Sequence, residues 1–322
     1  MRSATTGVVV LNYRSASDTL ACLASLERSN DLDLDIVVVD NAPDDDAHEK
    51  LRSAVGRRAE TFATGDNLGY AAGNNLGIAR VLDRGCDLVW VLNPDTVVEP
   101  ATLGVLRSHL ANVPACGVVG PRLVLPGLPP RIAFDGGVVD RTRHGATAHL
   151  SIGIQETQAP EPQARDVDYV TGASLLVRRE VLHQVGPIPE HYFLYYEEAD
   201  WCLRARRAGW RVMVEQRARM LHRKRSSGAL PRPYYLYYMV RNRYLFAESC
   251  LGASGESALA DLDATFVSVW RRMVAQRAPD WLGAFDELVE MATQDARAGR
   301  TGRNDRITYY PPAEEAHEYA DA

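Results

Sequence analysis

A chain of 322 residues has room for one large α/β domain with an appendage, or for two modest domains. Its 46% hydrophobic and 24% charged residues belong to a globular fold, and a net charge of -6 excludes general nucleic-acid binding, which needs a basic footprint. The five cysteines, Cys22, Cys86, Cys116, Cys202 and Cys250, form no C-x-x-C pair, so reduced thiols are expected rather than a disulfide frame or a zinc site.

Val8-Val9-Val10-Leu11 is a continuous apolar run, as in a strand buried on both faces. It is too short for a signal peptide, and no stretch reaches the roughly 20 apolar residues of a membrane span. A cytoplasmic protein is expected, with contact at the inner face of the membrane left open. Ser15 to Arg28 reads as a helix with Leu20, Leu23 and Leu26 on one side and Ser15 or Ser17 as cap. Ile36–Val39 is a second strand, and a helix follows around Ala47 to Val55. Then come a short strand at Glu60–Ala63, a helix over Tyr70–Leu82, a strand at Leu88–Leu92, a helix over Ala101–Leu110 and a strand at Gly117–Val119. Such alternation predicts a mostly parallel sheet with right-handed crossovers and helices on both faces.

Polar residues stand at each strand's carboxyl end: Asn12-Tyr13-Arg14, Asp40-Asn41, Asp66-Asn67-Leu68-Gly69-Tyr70 and Asn93-Pro94-Asp95. Ligands of open parallel sheets bind beyond those ends. The structural alternatives are that Asp40 caps the next helix and that Asp95 braces the Asn-Pro turn. No G-x-G-x-x-G or Walker glycine loop is present, so a metal ion is the natural holder of phosphates, with Asp95 as its candidate ligand.

From Leu123 to Asp166 the periodicity fails in a segment rich in Pro, Gly and Arg, where a hairpin and loops are expected. Asp168–Val177 reads as a strand, followed by a short helix ending at Gly186. Next comes Tyr192-Phe193-Leu194-Tyr195-Tyr196-Glu197-Glu198-Ala199-Asp200, three carboxylates behind a run of aromatics at a helix start. The helix is expected to run to Ala208 and stop at Gly209. Aromatic walls would desolvate the pair Glu197-Glu198 and suit it to base chemistry. Two closing strands, Trp210–Val214 and Ala218–His222, precede the basic loop Arg223-Lys224-Arg225. Helices are expected at Tyr234–Phe246, where aromatics would cover the sheet domain, at Glu256–Gln276 and at Trp281–Ala298. A loose tail is expected after them. The expected division is therefore a sheet domain at 1–230, in halves of about 1–120 and 121–230, a helical region at 231–300 and a flexible tail at 301–322.

Taken in order, Val9–Tyr13, Val38–Asn41, Asn67–Asn75, Leu92–Asp95, Thr171–Ala173 and Tyr196–Arg204 resemble the family 2 inverting glycosyltransferases, particularly their rhamnosyltransferase-like branch. The resemblance spans about Gly7 to Phe246 and implies a GT-A fold, a nucleotide-sugar donor and a divalent metal, Mn2+ or Mg2+. It assigns Asn12, Tyr13, Arg14 and Asp40 to base and ribose, and Asn67, Gly69 and Tyr70 to the nucleotide and its diphosphate. The metal motif usually written Asp-x-Asp reads Asn93-Pro94-Asp95, one charge poorer. His222, alone a residue that could as well serve the surface or core, would add a nitrogen ligand. Inversion needs a carboxylate base opposite the leaving diphosphate. The family pattern puts it at Glu198, with Glu197 as runner-up, while Asp200 can pair with Arg204. Arg223, Lys224 and Arg225 are candidates for a phosphate lid or a solvated loop. The donor implied is a dTDP- or UDP-sugar, L-rhamnose or another deoxysugar first. The acceptor, whether glycan, lipid-linked or small natural product, is not readable, and the C-terminal helices offer a surface for a homodimer. A catalytically silent nucleotide-sugar-binding subunit and a sugar nucleotidyltransferase are the competing readings.

Overall fold

The computed structural model describes residues 4–30, 34–42, 44–223 and 230–307. By contacts the chain divides into two units. The first comprises Met1–Val138, His149–Glu190 and Glu197–Arg223; the second comprises Val139–Ala148, His191–Tyr196 and Lys224–Ala322.

In the first unit β1 (Thr6–Asn12), α1 (Ala16–Leu26), β2 (Leu34–Asp40), α2 (Asp45–Val55), β3 (Glu60–Ala63), α3 (Gly69–Asp83) and β4 (Leu88–Leu92) follow one another. Every residue of β1 and β4 is buried, as their apolar runs require. β1 pairs in parallel with β2 on one side and β4 on the other, and β2 pairs with β3. The chain thus moves outward to β3 and returns across β1 to β4. The loops after β1 and β4 leave in opposite directions, which opens a crevice at their carboxyl ends.

The chain continues through β5 (Thr96–Val98), α4 (Thr102–Asn112), β6 (Cys116–Leu125), β7 (Arg131–Phe134), β8 (Gly137–Asp140), β9 (Ala146–His149), β10 (Ala164–Asp166), β11 (Ser174–Arg178), α5 (Arg179–Val185), α6 (Glu197–Arg207) and β12 (Arg211–His222). The main sheet is ordered β10-β12-β6-β11-β4-β1-β2-β3, with β5 on β12 and β7 on β6, and β8 and β9 form a separate ribbon. β11 enters antiparallel between β4 and β6. Two expected strands, at 210–214 and 218–222, are one: β12 bulges between Glu215 and Arg219 and then resumes its parallel pairing with β6. The expected strand at 168–177 begins only at Ser174, after a turn at Thr171–Ala173.

Close approach of α3 to the sheet depends on its glycines. A Cβ at Gly77 would lie 2.4 Å from Val9 Cγ1, and one at Gly73 2.5 Å from Leu11 Cδ1. Arginine ties several chain ends to the sheet. Arg178 Nε donates to Cys116 O at 2.8 Å, and Arg179 donates to Cys86 O at 2.7 Å and to Leu82 O at 2.5 Å, closing the C-terminal end of α3. All five cysteines are free and buried, and burial pushes Cys22, Cys116 and Cys202 up to about 12.

The second unit is built on α7 (Pro233–Phe246), α8 (Gly255–Leu262), α9 (Ser268–Arg277) and α10 (Leu282–Arg297). The expected helix over 256–276 is α8 and α9 joined through a π-helical turn, Asp263–Val267. The aromatics of α7 serve a core of their own: Leu236, Tyr237, Tyr238 and Val240 pack with Phe285, Ala292, Phe193 and Ile307. Of the expected tail, Asn304 and Ile307 are buried and Asn304 N donates to the Tyr238 hydroxyl; residues 308–322 lie outside the described residues. No described helix is long and apolar enough to cross a membrane.

Gly77→Ala should lower stability by about 1–3 kcal/mol, because the added methyl forces α3 off β1. Thermal denaturation, with Gly283→Ala at an open helix position as control, measures it.

Candidate active site

The first cluster stands at the ends of β1 to β3. Parallel register sets Asn12 opposite Asp40, and Asn12 Nδ2 donates to Asp40 Oδ1 at 2.8 Å. The Asn12 carbonyl oxygen accepts from Thr19 Oγ1 at 2.9 Å and from Ser15 N at 3.2 Å, so the hydroxyls at the start of α1 serve Asn12 instead of capping their own helix. Asp40 is only 1% exposed, and His48 Nδ1 lies 3.0 Å from its Oδ2. The cap of α2 is Asp44, which accepts from Ala47 N, so Asp40 is not a helix cap. Beside it Asn41 donates to Asn67 Oδ1 and Gly69 O and accepts from Leu68 N. Asn67 Oδ1 also accepts from Gly69 N, so this predicted nucleotide residue shapes the loop that carries it. Tyr13 and Arg14 follow β1, the guanidinium 5.9 Å from the Tyr13 ring centre and Arg14 at φ 53°.

The second cluster is made by the pairing of β5 with β12. Antiparallel register puts His222 opposite Thr96, next to Asp95, and His222 Nε2 stands 3.0 Å from Asp95 Oδ2. Asn93 holds the turn through its carbonyl, which accepts from Thr96 N and from Thr96 Oγ1 at 2.8 Å. The turn is therefore braced by Thr96, and the Asp95 carboxylate faces the imidazole. Arg223 N donates to Asp95 O at 2.7 Å, and its guanidinium lies 3.6 Å from Asp18. Lys224 and Arg225 lie outside the described residues. Among the described residues no cluster of three or more His, Cys, Asp or Glu forms a ready-made metal cage.

The third cluster is the head of α6. Glu197 is 4% exposed and Glu198 half-buried, and neither Glu197 Oε2 nor Glu198 Oε2 has a hydrogen-bond partner among the described residues. Burial pushes the Glu197 carboxyl well above the usual glutamate range, and the charge of Glu198 pushes it further. Burial also raises Glu198, but the backbone amides of Glu198, Gly172 and Ala199 oppose the rise. Both carboxyls are thus pushed upward, Glu197 the more strongly, and a charge on one opposes a charge on the other. Tyr70, expected among the nucleotide residues, stands beside this acid pair. Its hydroxyl donates to Gly172 O at 2.7 Å, and its own pKa is raised well above normal by burial and by the charges of Glu198 and Glu197. A Cβ at Gly172 would meet the Tyr70 hydroxyl at 2.4 Å, which accounts for glycine in Thr171-Gly172-Ala173. Asp200 is buried and accepts two bonds of 2.8 Å from Arg204, a structural pair.

The aromatics before Glu197 were expected to wall the acids, but they pack on α7 instead. Phe193 meets Tyr238, Tyr195 meets Tyr235 and Tyr196 meets Phe246, with ring centres 5.2 Å apart in each pair. Phe193, Tyr195 and Tyr196 have φ of 68°, 67° and 77°, left-handed values that bulky residues rarely adopt.

The profile of Glycosyl transferase family 2 matches residues 7–186, which hold the first cluster, Asn93–Thr96 of the second, and Tyr70 and Gly172 of the third, while Glu197, Glu198 and His222 lie beyond it. The chain is a family 2 glycosyltransferase. It is 28% identical over 264 residues to the N-acetylglucosaminyl-diphospho-decaprenol L-rhamnosyltransferase of Mycobacterium tuberculosis, covering 74% of this chain and 82% of that protein. It is 25% identical to the low-salt glycan biosynthesis hexosyltransferase Agl10 of Haloferax volcanii, covering 93% of both. The fold is that of a crystal structure of GalNAc-T7 with UDP, GalNAc and Mn2+ (TM-score 0.59, 14% identity), covering 93% of this chain and 58% of that one. It also matches the mannosyltransferase PcManGT of Pyrobaculum calidifontis in complex with GDP-Man and Mn2+ (TM-score 0.52, 15% identity), covering 93% of this chain and 89% of that one. The fold is GT-A, and the transferase, of rhamnosyltransferase-like type, uses a nucleotide sugar.

Because Glu197 binds its proton more tightly folded than unfolded, its contribution to stability is complete below the ordinary glutamate range. That contribution is lost as pH rises toward the raised pKa. Glu197→Gln should therefore melt higher than the parent at pH 8, by about 2–4 °C per kcal/mol recovered, with the gap closing toward pH 4. Melting curves across that range test the assignment.

Proposed function

We propose that this transferase moves a sugar, L-rhamnose or another deoxysugar, from a nucleoside diphosphate to an acceptor hydroxyl in one inverting displacement. The carrying observation is the acid pair at the head of α6, with two buried carboxylate oxygens that no group among the described residues satisfies. Glu198 is the general base. It is the less strongly raised of the two acids, backbone amides hold it in place, and it is more accessible than Glu197. It takes the proton from the acceptor hydroxyl as oxygen attacks the anomeric carbon and the diphosphate leaves. Glu197 remains the alternative base, and otherwise supplies a neutral neighbour that leaves room for only one charge.

Asn12 and Asp40 bind base and ribose at the end of β1 and β2, with Tyr13 and Arg14 beside them. His48, eight residues further along the chain, joins this set through Asp40. Asn67 and Gly69 line the nucleotide side, and Asn93 the diphosphate turn. Asp95 and His222 fit a divalent ion, Mn2+ or Mg2+. They offer one oxygen and one nitrogen donor 3.0 Å apart, a mixed set that suits Mn2+ at least as well as Mg2+. Bound there, the ion would neutralise charge developing on the leaving diphosphate. Arg223, whose amide donates to Asp95 O, brings positive charge to the phosphate side, while Lys224 and Arg225 lie outside the described residues. The mycobacterial relative, named as an L-rhamnosyltransferase acting on an N-acetylglucosaminyl-diphospho-decaprenol, supports L-rhamnose as the sugar and a lipid-linked glycan as acceptor.

Glu198→Gln should lower transfer about 10²–10⁴-fold while the thermal shift given by dTDP-L-rhamnose stays unchanged. Normal turnover by Glu198→Gln beside an inactive Glu197→Gln would move the base to Glu197. Absence of transfer by the parent chain with every dTDP- and UDP-sugar that binds would favour a silent nucleotide-sugar-binding subunit. For the metal, Mn2+ should enlarge the stabilisation by dTDP in the parent chain and do so little in Asp95→Asn or His222→Ala. An equal Mn2+ effect in all three would remove these residues from the ion.

A further inference from the structure

Three bulky residues with left-handed backbone lie directly before the acid pair, and left-handed φ at such residues persists only where neighbours hold it. The holder is in the second unit, on α7. Asn242 Nδ2 donates to three consecutive-loop carbonyls, Tyr192 O at 3.0 Å, Leu194 O at 2.6 Å and Tyr195 O at 3.0 Å. Only an amide nitrogen can face three carbonyl oxygens, so the orientation of this side chain is unambiguous. Arg241 Nε donates to Asn242 Oδ1 at 2.9 Å and locks the amide that way round. The same guanidinium donates to Tyr192 O at 2.7 Å and to Gly302 O at 2.6 Å, and stacks 4.7 Å from the Tyr238 ring centre. Both side chains are buried, Arg241 at 1% and Asn242 at 0% exposure.

A guanidinium and an amide removed from water are costly groups, and here they serve main-chain oxygens of one short loop. The last residue of that loop is bonded to Glu197. The torsions at Tyr195 and Tyr196 therefore set where α6 begins and in which direction its first carboxylates leave the backbone.

We infer that Arg241 and Asn242 are positioning residues for the transferase, holding the strained Tyr192–Tyr196 loop whose last residue leads into Glu197 and Glu198. The inference rests on the acid-pair reading above. It adds that the pair is aimed by the backbone of this held loop rather than by α6 alone. An acid misplaced by about 1 Å loses on the order of 10²-fold in rate, with no change at the strand ends where the donor binds.

The test uses the full chain with the donor chosen by thermal shift. Asn242→Asp replaces the donor by an acceptor of the same shape, and Asn242→Ser keeps a single hydroxyl donor in a milder change. Both should lower kcat about 100-fold or more for Asp and about tenfold for Ser, leave the donor KM within about twofold, and move the acid limb of the pH–rate profile down toward the ordinary glutamate range. A merely structural role would lower the melting temperature without moving that limb. In a Tyr195→Gly background, where left-handed φ carries no strain, Asn242→Ser should cost less than it does in the parent, the mark of action through the loop. Folded Asn242→Ser with the parent kcat and pH profile, beside an inactive Glu198→Gln, would overturn the inference alone. Active Glu198→Gln and Glu197→Gln would instead remove the acid-pair reading. Should Asn242→Asp not fold, Asn242→Ser and its cycle with Tyr195→Gly decide.

Discussion

Parallel pairing of β1 with β2 on one flank and β4 on the other is the constraint from which the site follows. A strand hydrogen-bonded in parallel on both sides has no edge and must be apolar on both faces, so its polar chemistry can begin only where it stops. Here it stops at Asn12, in register with Asp40, and the return of the chain to β4 brings Asn93 and Asp95 to the same end of the sheet. The short β5 then binds β12 in the opposite sense, which draws His222 back to Asp95 across more than a hundred residues. Register alone therefore assembles groups that the chain keeps far apart.

The acid pair obeys a different logic. Two carboxyls on neighbouring residues of a helix start, both poorly solvated, cannot both be charged without a large electrostatic cost. Main-chain amides oppose the rise at both, three of them at Glu198 and one at Glu197, while the charge of Glu198 adds to the rise at Glu197. Asp200, one turn further, escapes this competition because Arg204 answers it with two hydrogen bonds.

Much of the sheet was legible because buried parallel strands announce themselves as runs such as Val8–Leu11 and Leu88–Leu92, and their polar ends are adjacent in sequence. Asp95 with His222 and Glu197 with Glu198 were likewise visible through motif order. Other features have no local signal. His48 is one histidine on a polar helix, and only tertiary contact brings it to Asp40. Tyr70 follows Gly69 in a loop that reads as nucleotide-binding, yet its ring reaches the turn around Gly172 because that residue has no side chain. β5 is three residues long and exists only because β12 is there to pair with it. The aromatics of Tyr192–Tyr196 read as a wall for the acids because sequence adjacency says nothing of which way left-handed residues point.

The arginines that close chain ends on main-chain oxygens have a further consequence. Arg178, Arg179 and Arg241 reach carbonyls with a planar fork that stays charged at any pH a protein survives. Lysine in those places would offer a single point of contact and could lose its proton when buried. With only Lys50 and Lys224 in the whole chain, the electrostatic skeleton of this enzyme is almost invisible to amine chemistry. Acetylation, glycation and amine-directed cross-linking have two lysine side chains to act on, and the arginine contacts that close these chain ends are not open to them.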